Sequence, residues 1–81
     1  MTLTAHQIAD LAKNNGATRA ATRYLGRVPG RDHISTFAVD CTVPLYIQQD
    51  WLAAMRAEGV RPVFGRHNTA QTVTYNIKVT A

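Results

Sequence analysis

Two changes of hydrophobic period predict an α+β fold for this chain. Helical spacing near the N-terminus and again in the middle is interrupted by an alternating stretch, and residues 72–80 alternate without a fault. The predicted order is helix, helix, strand, helix, strand, strand (α-α-β-α-β-β). The whole chain, 1–81, forms one domain: a three-stranded antiparallel sheet with helices packed on one face.

Each element has a local reason. Over residues 3–16, Thr4 and Gln7 have the spacing of a capping box, bracketed by Leu3 and Ile8 at the staple positions. Ala5, Ile8, Ala9, Leu11 and Ala12 make the apolar side of this helix, and Gly16 stops it. A second, shorter helix is predicted over 18–25, capped by Thr18, ended by Gly26, with Ala21 and Leu25 turned inward. Gly26, Pro29 and Gly30 mark a loop. From 34 to 43 the period becomes two, with Phe37, Val39, Cys41 and Val43 on one face and Thr36, Ala38, Asp40 and Thr42 on the other.

The central helix is predicted over 42–59, with Thr42 as N-cap, Pro44 in the first turn and Gly59 at the left-handed end. Ile47, Trp51, Leu52, Ala54 and Met55 share its apolar side, so it is the main core element. Residues 60–64 read as a short strand that Pro62 places near an edge, and 65–71 as a polar turn. In the last strand Val73, Tyr75, Ile77 and Val79 point inward, leaving a threonine-rich outer face.

The totals limit function. A 46% apolar, 17% charged composition is that of a globular domain. The single Cys41 cannot close an internal disulfide, which fits a reducing cytoplasm. No apolar run is long enough to span a bilayer, and the polar start at Thr2 and Thr4 is unlike a signal peptide. Localisation is therefore expected to be cytoplasmic, with no membrane partner. Net charge is +4, and seven of the nine basic residues are arginine, the side chain suited to bidentate contact with phosphate or carboxylate.

Catalytic and metal chemistry find no constellation in the sequence. Cys41 falls mid-strand on the inward face, the three histidines are scattered, and no CxxC or HxxxH spacing occurs. No catalytic residue, metal or cofactor is expected.

The strongest signal is Arg19, Arg23, Arg27 and Arg31, spaced four apart with no acidic residue between Lys13 and Asp32. On a helix this spacing aligns guanidinium groups along one face, each able to neutralise a phosphate. The same pattern also serves as a solvated basic face. Arg66, with Arg56, Arg61, His67 and Lys78, forms a second basic group if these converge.

Two resemblances follow. Ala12 and Gly16 four residues apart, with apolar Leu11, Ala17 and Leu25, resemble the pattern of helix-turn-helix DNA-binding domains over residues 8–25. That resemblance implies a recognition helix opened by Thr18, Arg19 and Arg23, a wing from residues 61–80, and a DNA-binding transcription regulator. In size and build the whole chain resembles the small accessory proteins of phages, in particular anti-CRISPR proteins. This implies a stoichiometric inhibitor, monomeric or homodimeric, docking through a basic helical face on a host protein or nucleoprotein complex. It also implies residence in the host cytoplasm if phage-encoded. A structural component of a virion or other assembly is the third alternative.

Overall fold

The computed structural model describes residues 3–80. Met1, Thr2 and Ala81 lie outside it, and with them the Thr2 part of the polar start. The first helix, α1 (Ala5–Asn14), begins as its sequence dictates. Thr4 Oγ1 accepts from the Gln7 N–H at 3.1 Å, and the Thr4 N–H donates to Gln7 Oε1 at 2.8 Å, closing the capping box. At its end Gly16 N–H donates to Lys13 O and Ala17 N–H to Ala12 O, each at 3.0 Å, the Schellman pattern. Gly16 has φ +112°, and a methyl group there would run into the Ile47 side chain.

The expected second helix is a strand. Residues Arg19–Val28 form β1, which pairs antiparallel with β2 (Arg31–Pro44), so the sheet has four strands and not three. The reason lies in where the backbone groups are satisfied. An isolated helix of eight residues is marginal, whereas β1 runs beside β2 from the Arg19–Thr42 pair to the Val28–Arg31 pair. Residues 26–33, expected as a loop, instead belong to this hairpin, with Pro29 and Gly30 at its turn.

β2 starts three residues earlier than predicted and runs on to Pro44, so Thr42 is a strand residue opposite Arg19 and Thr74, not a helix cap. A 3-10 turn (Leu45–Ile47) follows, and the central helix, α2, is confined to Gln48–Ala57. Gly59 and Val60 close α2 with a second Schellman pattern: Gly59 N–H to Arg56 O and Val60 N–H to Met55 O. The strand expected at 60–64 shrinks to β3 (Val63–Phe64). The last strand, β4 (Thr72–Thr80), has the expected bounds.

Strand order is β1-β2-β4-β3, all antiparallel, with the core between one face of this sheet and the two helices. Ala20, Val39, Cys41, Val43, Val73, Tyr75, Ile77 and Val79 come from the strands; Ile8, Ala9, Ala12, Trp51, Leu52 and Met55 come from the helices. Trp51 is 1% exposed, and its indole Nε1–H donates to Ala12 O at 3.1 Å, tying α2 to the end of α1. Its ring also lies 5.3 Å from that of Tyr75, whose hydroxyl accepts from Gln48 Nε2. Among the described residues no helix is long and apolar enough to cross a membrane.

Trp51→Ala is expected to lower stability by about 3–5 kcal/mol, as a large buried aromatic lost from a core does. Gly16→Ala is expected to cost at least about 1 kcal/mol, because an L side chain is strained at that φ and collides with Ile47. Urea-unfolding midpoints measure both.

A candidate phosphate-docking face

Residues opposite one another in paired strands point to the same side of a sheet. The register therefore assigns the face away from the helices. Arg19, Ala21 and Arg23 of β1 lie beside Thr42, Asp40 and Ala38 of β2, which lie beside Thr74, Asn76 and Lys78 of β4. Ala38 is 3% exposed although it is on this open side, since it sits in the row between Arg23 and Lys78.

The segment following β3 supplies the far wall. Gly65 N–H donates to Thr74 O at 2.8 Å, and Asn68 Oδ1 accepts from the Thr74 N–H at 2.9 Å. Asn68 Nδ2 in turn donates to Gly65 O, and the His67 N–H donates to Thr74 Oγ1. The Thr69 hydroxyl accepts from the Gln71 and Thr72 N–H groups. This network folds residues 65–72 against the edge of β4 and brings Arg66 and His67 to the open face. The result is a shallow groove of about 580 Å³, lined by Arg19, Arg23, Arg66 and His67 over a floor that includes Thr42, Thr74 and Asn76.

Arg23 and Asp40 are bonded across this floor, Nε to Oδ2 at 3.1 Å and Nη2 to Oδ1 at 3.4 Å. The hydrogen bond and then the charge of Asp40 raise the Arg23 pKa further, so the guanidinium stays cationic. Being exposed, the pair is screened by salt and adds little stability. Its effect is to hold the Arg23 guanidinium beside Asp40. Arg23 is thus partly neutralised by a residue from the neighbouring strand, a contact that the acid-free stretch from 14 to 31 did not reveal. Among the described residues, Asp40 is the only carboxylate that the strand register or the groove lining places on the open side, where Arg19, Arg23, Arg66 and Lys78 are its cations.

The four spaced arginines do not form one stripe. The register slips between Tyr24 and Gly26, leaving Leu25 unpaired in a β-bulge. Arg27, opposite Ser35, therefore falls on the other face from Arg23, and Arg31 lies beyond the turn. Thr18 stays outside the groove: its N–H and hydroxyl both donate to Thr42 O, at 2.9 and 3.3 Å. The basic helical face and the recognition helix do not form, because residues 19–28 are a strand. Thr42, Thr74 and Asn76 of the groove floor were legible as the polar half of two alternating strands. Asp40 as a partner for Arg23 required the pairing of β1 with β2.

Cys41 is buried, 1% exposed, and burial followed by the neighbouring charge of Asp40 pushes its thiol up to about 11. Such a thiol is not a nucleophile near neutral pH. Among the described residues no three His, Cys, Asp or Glu side chains are grouped to hold a metal ion. The raised pKa has a stability consequence. The folded chain retains the proton up to about 11 while the unfolded thiol loses it near 9.0, so this contribution is full below the lower value and is lost between the two. Wild type is expected to lose more stability than Cys41→Ala as pH rises through that interval, measured by urea-unfolding midpoints at both ends of it.

Comparison with protein-family models, with curated proteins and with solved structures finds no match for this chain.

Proposed function

We propose that this chain is a non-enzymatic binding protein that docks its open sheet face on the phosphate-bearing surface of a host nucleoprotein complex. It then acts as a stoichiometric inhibitor of the anti-CRISPR kind. The observation that carries this reading is the separation of charge between the two sides of the sheet. The open side has four cations around one carboxylate. The helical side holds three carboxylates, Asp10, Asp50 and Glu58, against Lys13, Arg56 and Arg61, with Arg27 farther out on that face of the β1–β2 hairpin.

A field of this polarity orients the molecule as it approaches an anionic surface and raises the rate of encounter. Once docked, Arg19 and Arg66 meet phosphate oxygens from opposite walls, while Thr42, Thr74 and Asn76 supply shorter polar contacts between them. An inhibitor that works in this way needs a rigid, preshaped surface and no reactive group. The hydrogen-bonded 65–72 segment and the four-stranded sheet are such a support. A helix-turn-helix regulator is not favoured, since the element that would enter the major groove as a helix is β1.

The test uses the immobilised full chain and an extract of the host. Wild type is expected to retain a nucleoprotein complex and to abolish that complex's nucleic-acid binding at a one-to-one ratio. Arg19→Glu combined with Arg66→Glu is expected to lose retention while keeping the wild-type unfolding midpoint. Equal retention by the folded variant, or inhibition at far less than one equivalent, would sink the proposal.

A further inference from the structure

We infer that the outer part of the β1–β2 hairpin, residues 25–35, is an arm that enters the major groove of duplex DNA. The open face at its base holds the adjoining phosphates. This inference rests on the docking reading above and names the form of nucleic acid that the face would meet.

The geometry of the hairpin carries it. β4 accompanies β2 only as far as the Thr36–Thr80 pair. Beyond that point, among the described residues, β1 and β2 pair only with each other, and none of residues 25–35 is buried. At strand rise the free ribbon is roughly 16 Å long. The molecule as a whole measures 41 × 26 × 15 Å. A two-stranded ribbon by itself is marginally stable, and this one gives the core nothing in return for the entropy of ordering it. A surface contact is the remaining use for it.

The chemistry of the arm identifies that contact. Its charged residues are Arg27 and Arg31 against Asp32 alone, with His33 beside them. The bulge at Leu25 puts Arg27 on the opposite face from Arg19 and Arg23. A flat anionic surface would meet one side of a ribbon and leave cations on the other side idle. A groove walled by phosphates meets both sides.

Dimensions then choose the groove. Two strands lie about 4.8 Å apart, and with side chains such a ribbon fits a major groove about 12 Å wide but not a minor groove of about 6 Å. The major groove of duplex RNA is too deep and narrow to admit it. Single strands are bound by successive bases stacking on a row of aromatic rings, whereas the groove lining offers one such ring, Phe64, set edge-on to Tyr75.

The experiment titrates the full chain into a labelled DNA duplex two helical turns long, the RNA duplex of the same sequence, and the single DNA strand. Salt is varied between about 50 and 200 mM. Wild type is expected to prefer duplex DNA, and guanine N7 methylation, which blocks the major groove, is expected to weaken binding. Arg27→Ser with Arg31→Ser is expected to flatten the slope of log K against log salt by about 1.8, two phosphate contacts at about 0.9 each. Arg27→Lys with Arg31→Lys is expected to restore the slope, which a mere loss of folding would not allow. Binding of duplex DNA with an unchanged slope in the serine variant would overturn the arm and leave the docking face standing. Equal affinity for the RNA duplex or the single strand, or no binding to any of the three probes, would also overturn it. The docking reading is judged separately, by nucleoprotein retention in the Arg19→Glu, Arg66→Glu variant.

Discussion

Trp51 is where the layers of this molecule are joined. Its indole reaches from α2 to the end of α1 and to β4, donating to the Ala12 carbonyl and lying against the Tyr75 ring. The same carbonyl accepts from the Ala17 N–H in the cap of α1, so one oxygen fixes both how α1 ends and where α2 crosses it. With about eighty residues there is apolar material for one such interface and no more. Both helices are therefore committed to one side of the sheet, and the other side is left to water and to partners.

That one-sided arrangement explains where the polar residues fall. Once Val73, Tyr75, Ile77 and Val79 face the helices, the pleat sends Thr74, Asn76 and Lys78 outward. Pairing with β2 and β1 then aligns them with Thr42, Asp40, Arg19 and Arg23. The open face is thus a by-product of core formation in its position, while its charge is a property of the particular side chains there. Three elements separated in sequence, β1, β4 and the 65–72 segment, bring Arg19, Arg23, Lys78, Arg66 and His67 together.

Much of the fold was legible where a local signal had one meaning. The capping box at Thr4, the alternation of residues 72–80 and the apolar side of α2 each agree with a single structure. The first hairpin strand was misread because four is a multiple of two as well as close to a helical turn. Arg19 and Arg23 share a side on a strand as they would on a helix, and Thr18, Ala20 and Ala21 are compatible with either. What decides between them is the long strand β2, a neighbour whose full extent is not written in residues 18–25. Pro44 was misleading in a similar way: it suits the first turn of a helix, and it also suits the end of a strand leading into a 3-10 turn.

The unpaired Leu25 shows how little it takes to reorient such a surface. The side on which the distal guanidinium appears is set by the count of residues between Tyr24 and Gly26, not by which residues they are. Insertion or deletion, rather than substitution, is thus the mutational step that rewires this hairpin's polarity, and the step leaves every buried position untouched. Chains with identical cores can in this way diverge in what they grip.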